Sequence, residues 1–250
     1  MIEAVHVSKY FEEKQVLFDV SATFDKGCTN LIIGQSGSGK TVLLKSLVGL
    51  YDIEEGEINY DGRSFTRMNH ATRRLLRQEI GMLFQGSALF DSLSVEENVR
   101  FPLDMFTDMS MEEKLDRVNF CLNRVNIINA NHLLPSEISG GMQKRVAIAR
   151  AIALNPRYLF CDEPNSGLDP KTSVLIDELI FEITKEYDIT TIVNTHDMNS
   201  VMGIGEKILF IYEGHKLWEG TKDDIMDTGN EQLDNFIFAS KLFQKIKRLH

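Results

Sequence analysis

The sequence predicts an α/β fold built on a parallel sheet and interrupted by a mostly helical insert. Three observations carry this prediction. A glycine-rich loop, Gly34-Gln-Ser-Gly-Ser-Gly-Lys-Thr41, stands between a short apolar strand and an amphipathic stretch. In the C-terminal half, apolar runs such as Arg157-Tyr-Leu-Phe-Cys161 alternate with helical stretches, the pattern of strands buried on both faces. Between these parts, apolar residues from Met111 to Val125 recur at helical spacing.

The elements follow in order. Glu3–Val7 and Gln15–Phe24 partly alternate apolar and polar residues and read as strands. Asn30–Ile33 is a short apolar strand ahead of the loop. Thr41–Leu50 reads as a helix, with Val42, Leu43, Leu47 and Leu50 largely on one face and Gly49 near its end. Gly56–Gly62 reads as a strand closing on an Asp-Gly turn. Ser110 and Glu113 have the spacing of a capping box, which opens a helix with Met111, Leu115, Val118, Leu122 and Val125 on its buried face. A second helix is expected from Gly141 to about Leu154, stopping before Pro156. The core then resumes with strand 157–161, helix Lys171–Tyr187, and strands Thr190–Asn194 and Lys207–Tyr212. The chain is expected to be one domain over residues 1–250. Its core spans 1–87 and 156–225, its helical subdomain 88–155, and its C-terminal helical tail 226–250.

Composition narrows the function. Hydrophobic residues make up 43% and charged residues 26%, which excludes a disordered chain, a fibre or a disulfide-stapled miniprotein. A net charge of −10, from 27 basic and 37 acidic residues, disfavours nucleic acid as a partner and direct adhesion to an anionic bilayer. No apolar run approaches the roughly 20 residues that span a bilayer. The opening residues lack the apolar stretch of a secretory signal. Cys28, Cys121 and Cys161 are scattered, as suits a reducing cytosol and no metal site.

The chemistry lies in three places. Residues 34–41 match G-x-x-x-x-G-K-[ST] at every fixed position, and a strand and a helix flank them as the motif requires. Gly34, Gly37 and Gly39 let backbone N–H groups turn inward onto phosphate oxygens. The helix that follows adds its positive end, Lys40 neutralises β and γ charge, and Thr41 offers a hydroxyl to Mg²⁺. The second place is Asp162-Glu163, at the end of an apolar strand. Such a pair alone is usually a solvated turn or a cap; beside a phosphate loop, Asp162 suits a Mg²⁺ ligand and Glu163 a base polarising water. The third is Ile138-Ser-Gly-Gly-Met-Gln143, a helix start with small residues and a second anion site. Two such helix ends in one chain suggest a nucleotide sandwiched between two subunits.

Over nearly its whole length the sequence resembles the ATP-binding cassette (ABC) ATPases. The loop at 34–41 is similar to the Walker A motif, Gln85 falls at the Q-loop, and residues 138–143 resemble the signature, which here begins with Ile138 where Leu is commoner. Tyr158–Pro164 resembles Walker B followed by the catalytic glutamate, Ser166–Asp169 the D-loop, and His196 the switch histidine. Tyr10 is similar to the aromatic that stacks on adenine. The resemblance implies a P-loop NTPase core, with a parallel sheet, an antiparallel β-subdomain and an inserted helical subdomain. It implies ATP and Mg²⁺ as cofactors. Tyr10, Gly34, Gln35, Ser36, Gly37, Ser38, Gly39, Lys40, Thr41, Val42 and Asp162 would bind nucleotide, with Ser139, Gly140 and Gly141 reaching it from a partner chain. Glu163, His196 and Gln85 would be catalytic, and Thr41, Gln85 and Asp162 would hold the metal. The active unit would be a dimer of cassettes, most simply a homodimer, on an integral membrane permease.

Finer information lies in Leu83–Pro102, in Ser-Gly-Gly-Met followed by Lys144-Arg145, and in Thr195–Ser200. These are similar to cassettes of the Mla/MCE type, which power phospholipid movement between bacterial membranes. That implies an MCE lipid-binding protein and an accessory cytosolic subunit as further partners, and a place on the cytoplasmic face of the inner membrane. A solute importer of the glycine-betaine kind and a non-transport switch in cell division or cluster assembly remain alternatives. Phe84, Leu89, Phe90 and Leu93 either line a groove for a permease helix or pack the junction of core and helical subdomain. The tail from Asn230 to His250 either caps its own core, docks on the sister cassette or meets an accessory subunit.

Overall fold

The N-terminal residues pair as a hairpin because apolar and polar side chains alternate on both strands. In the computed structural model, which describes residues 1–239, β1 (Ile2–Phe11) and β2 (Lys14–Phe24) run antiparallel from Ile2 opposite Phe24 to Phe11 opposite Lys14. Ile2, Ala4 and Val7 are buried on one strand, and Leu17, Val20 and Phe24 on the other. The expected strand at 3–7 is longer at its C-terminal end because β2 pairs with it as far as the Glu12-Glu13 turn. β4 (Glu55–Tyr60) lies on the other side of β1. The expected Asp-Gly turn joins it to β5 (Arg63–Ser64), with φ 46° at Asp61 and 74° at Gly62, the signs of a type I′ turn. The order is β2-β1-β4-β5.

A second sheet in the same part of the chain centres on β3 (Thr29–Ile33), every residue of which is buried. β8 (Thr190–Thr195) and β9 (Lys207–Tyr212) flank it in parallel, and β10 (His215–Gly220) adds an antiparallel edge. α1 (Lys40–Leu47) follows the glycine-rich loop. It stops three residues short of the expected Leu50 because Gly49, at φ 72°, turns the chain out of the helix. Gly49 N–H donates to Ser46 O at 3.0 Å and Leu50 N–H to Lys45 O at 2.9 Å, a Schellman ending. α7 (Met198–Ile204) is capped by Asp197. In the C-terminal tail, Asn230 caps α8 (Glu231–Ile237), whose Leu233 and Ile237 are buried and whose Phe236 ring lies 5.7 Å from that of Phe210 on β9. This part of the tail covers its own core. Phe243, Ile246 and the basic run Lys241–Arg248 fall outside the described residues.

These elements belong to one compact unit, Met1–Met68 with Thr190 onward; Asn69–Ile189 form another. In the second unit α2 (His70–Gln78) leads into β6 (Ile80–Leu83), which runs parallel to β7 (Tyr158–Asp162) with Leu83 opposite Cys161. α3 (Val95–Phe106), α4 (Met111–Arg124) and α5 (Gly140–Ile152) pack on one another, and α6 (Pro170–Glu186) follows β7. The helical stretch expected at 88–155 lies inside this unit.

Capping explains where these helices begin. Ser94 with Glu97 and Ser110 with Glu113 each form both arms of a capping box, the second as expected. α4 and α5 also cap each other. The Arg117 guanidinium of α4 donates to Ile152 O at 2.7 Å and Ala153 O at 2.9 Å, the end of α5. Arg145 of α5 donates to Asn126 O at 2.8 Å and Val125 O at 3.3 Å, the end of α4. Each cation thus sits on the negative end of the neighbouring helix.

α3 is anchored by Asn98, which is fully buried. Its amide donates to the carbonyls of Phe90, Leu93 and Ser94 at 2.9–3.1 Å, and its oxygen accepts from Phe90 N–H at 2.8 Å. Asn98→Ala removes four bonds at once and is expected to lower unfolding stability by about 3 kcal/mol, because an intramolecular hydrogen bond contributes about 0.5–1.5 kcal/mol. Urea denaturation checks this as a lower midpoint at unchanged slope.

Candidate nucleotide site

The phosphate loop occupies the turn from β3 into α1, as the motif requires. Gly34 has φ 148°, and a Cβ there would stand 2.2 Å from Ile211 O, so no side chain fits. Gly37, at φ 81°, has nothing within 4 Å of its Cβ position, which leaves that flank of the loop open. Gly39 caps α1 at φ 105° with no side-chain hydrogen bond. Lys40, only 5% exposed, donates from Nζ to Gln35 O at 2.9 Å, which draws its ammonium across the loop. The Thr41 hydroxyl accepts from Asn194 Nδ2 at 2.9 Å. Ser38 Oγ is buried and has no hydrogen-bond partner among the described residues. A buried hydroxyl without a partner and an open glycine flank fit a phosphate group.

Register places His196 beside this loop. Ile33 pairs with Thr195, so Gly34 and His196 are the first residues beyond two adjacent parallel strands. Ligands bind at such carboxyl ends in α/β sheets. His196 is exposed. Gln35 and Ser36 are exposed on the loop, and Val42 is half-buried in the first turn of α1. Tyr10 lies on the antiparallel sheet, half-buried, with its backbone N–H bonded to Glu54 Oε2 at 2.8 Å.

The second unit gathers the other residues. Leu83 and Cys161 are register partners, so Gln85 and the pair Asp162-Glu163 leave the same end of β6 and β7. Asp162 is buried. Glu163 is half-buried at φ 50°, a conformation that costs a non-glycine residue energy and recurs where side-chain aim matters. Gln85 Nε2 donates to Ser166 Oγ at 3.3 Å, tying the expected Q-loop to the expected D-loop. Lys144 is 4% exposed and donates from Nζ to Gln85 O. Burial pulls its pKa below the usual lysine value, opposed by the carboxylates of Asp162 and Glu163. Burial also holds the Cys161 thiol far above its ordinary value, so it stays protonated. All three cysteines are free.

Ser139 caps α5, accepting from Met142 N–H at 3.3 Å. With Gly140 and Gly141 it lines a cavity of about 500 Å³ whose other walls include Gly167, Leu168 and Asp169. Asp169 accepts from Thr172 and Lys171, and the Thr172 bonds hold its carboxyl below the usual range. A separate apolar groove of about 470 Å³ is lined by Phe84, Phe90, Phe101, Pro102 and Phe106. Phe84 and Phe90 were expected there; Leu89 and Leu93, half-buried, do not line it.

The sequence profile of the ABC transporter family matches residues 17–166. The chain belongs to the ABC transporter family. It is similar to the methionine import ATP-binding protein MetN of Campylobacter jejuni, 36% identical over 96% of this chain and 76% of that protein. It is also similar to the probable ribonucleotide transport ATP-binding protein mkl of Mycobacterium bovis, 33% identical over 96% of this chain and 67% of that one. Neither name is that of a lipid transporter. Among solved structures, a dimeric ATP-binding cassette in a post-hydrolysis state bound to ADP and Pi matches with a TM-score of 0.81 at 33% identity, covering 89% of this chain and 99% of that chain. The cassette cbiO1 from Clostridium perfringens, part of an ABC transporter complex, matches with a TM-score of 0.84 at 25% identity, covering 99% and 97%.

This ABC cassette is an ATPase and the ATP-binding subunit of a membrane transporter, working with ATP and Mg²⁺. No helix among the described residues is long and apolar enough to cross a membrane. Sequence reasoning missed three residues that hydrogen-bond the expected site residues or the loop beside them. Asn194, which positions Thr41, was signalled by an amide at the end of an otherwise apolar strand. Lys144 and Arg150, which bond the loop after β6, left no sign beyond two cations on a largely buried helix.

Proposed function

We propose that the cassette binds ATP between residues 34–41 of one copy and Ser139–Gly141 of a second copy, and that closing and reopening two such sites drives a permease. In this reading the loop N–H groups and Lys40 take the β- and γ-phosphates, while Thr41, Asp162 and Gln85 hold Mg²⁺. Gln35, Ser36, Ser38 and Val42 complete the phosphate cradle, and Tyr10 stacks on adenine. Glu163 accepts the proton of the attacking water, and His196 holds the γ-phosphate. Support comes from the carboxyl-end placement of these residues and from a related dimeric cassette held with ADP and Pi.

The observation that carries the transport reading is the apolar groove beside Gln85. Five aromatic and proline side chains form a trough suited to the apolar face of a short helix. We assign its occupant as a cytoplasmic helix of an integral permease, which holds the cassette on the inner face of a bacterial inner membrane. For the cargo we propose phospholipid, carried by an MCE-type assembly with its lipid-binding protein and an accessory subunit, on the similarity of residues 83–102 and 195–200 to such cassettes. A second reading is amino-acid import, favoured by the likeness to MetN.

Purification of the complex from native membranes and reconstitution in vesicles separates the two. Phospholipid co-purifying with the permease, and ATPase activity raised by phospholipid but not by methionine, is the expected result. Stimulation by methionine alone transfers the assignment to amino-acid import. A membrane partner with no transport activity overturns both.

A further inference from the structure

Two cations of α5 grip the backbone of the loop that follows β6. Lys144 donates to Gln85 O, and Arg150, six residues along the same helix, donates to Ser87 O at 2.8 Å and Ala88 O at 2.7 Å. Ser87 and Ala88 stand at φ 63° and 49° in succession, and neither is glycine. Two left-handed residues in a row cost about 1–3 kcal/mol each and persist only where the surroundings impose them. The two bonds from Arg150 fall on the carbonyls of these same two residues. The Arg150 guanidinium also lies 6.0 Å from the centre of the Phe90 ring in the apolar groove. At the other end of the loop, the Gln85 amide reaches Ser166 Oγ. α5 itself begins at Ser139–Gly141.

We propose that Lys144 and Arg150 are positioning residues for ATP hydrolysis: by clasping the carbonyls of Gln85, Ser87 and Ala88 they fix the direction of the Gln85 side chain and tie it to α5 and to the groove. The geometry favours this over simple packing. A buried lysine whose ammonium ends on a main-chain carbonyl is costly to keep, and a methionine would fill the same volume without that cost. Neither cation touches the reacting atoms in this scheme; both act through Gln85. The inference rests on the assignment of Gln85 to the catalytic site, and the experiment tests that assignment alongside.

The test is steady-state ATPase kinetics on the full chain for Lys144→Met, Lys144→Arg and Arg150→Lys, each in the native background and in a Gln85→Ala background. Binding of a fluorescent ATP analogue and thermal unfolding are measured on every variant. Lys144→Met is expected to lower kcat roughly ten-fold, the size of one coupling between residues in contact. KM, nucleotide affinity and the melting temperature should stay near their native values. Lys144→Arg, which still donates, is expected to recover most of the rate. In the Gln85→Ala background the effect of Lys144→Met should vanish. An equal loss in both backgrounds overturns the proposal, and so does native kcat in Lys144→Met. If Lys144→Met does not fold, Arg150→Lys decides by the same cycle, because a shorter cation loses one of its two carbonyls. Native kcat in Gln85→Ala overturns the catalytic assignment of Gln85, and the clasp's role with it.

Discussion

Glu163→Gln is expected to leave ATP binding intact and to remove turnover. The carboxylate stands one residue beyond the buried strand β7, half-exposed and held at φ 50°, so its aim is set by the backbone. Gln keeps the size and the hydrogen-bonding reach of Glu but does not take a proton from water at neutral pH. Loss of a positioned base costs about 10²–10⁴ in rate, while the phosphate loop that supplies the binding energy lies elsewhere in the sequence. In the proposed cycle hydrolysis reopens the dimer, so the variant should accumulate as an ATP-bound dimer, visible by size-exclusion chromatography with and without ATP. A variant that hydrolyses ATP at the native rate removes Glu163 from the role of base.

Lys40→Ala acts at the preceding step. The Lys40 ammonium, almost wholly buried, bonds Gln35 O across the loop, so in the proposed reading it serves both as a charge for phosphate and as a tie that keeps the loop curled. A charge-assisted hydrogen bond is worth about 1.5–3 kcal/mol, which corresponds to roughly 10–150-fold in Kd. Titration with a fluorescent ATP analogue should show that loss, and it should not be recovered at high Mg²⁺. Unchanged affinity sinks the phosphate-loop assignment. The two variants are therefore expected to be opposites: one binds without turning over, the other binds weakly.

How far these sites were readable before any fold was known depended on the kind of signal. The loop at 34–41 was legible because its chemistry is local: glycines, lysine and threonine must be adjacent for one loop to wrap a phosphate. Strands β3, β7, β8 and β9 were legible because full burial writes them as continuous apolar runs. α4 was legible from its capping box. The elements missed have weak local signals. α3 opens on a capping box as readable as that of α4, but it carries Pro102 in its interior, which reads as a break, and tertiary packing and Asn98 help to hold the helix there. α2 buries Leu76 alone, so its apolar stripe is too narrow to count. β6 has a glycine at its second position, and β10 is an edge strand with little burial. The clasp formed by Lys144 and Arg150 joins residues about 60 positions apart in sequence, a distance at which no pattern within one sequence speaks.

The mutual capping of α4 and α5 has a mechanical meaning. Helix ends fray because their last carbonyls lack partners, and a frayed end absorbs a push as unwinding. With Arg117 seated on the end of α5 and Arg145 on the end of α4, both ends are closed, and the pair behaves as a brace. Losing either arginine leaves one helix end open, and α4 and α5 are then expected to yield more easily where they meet.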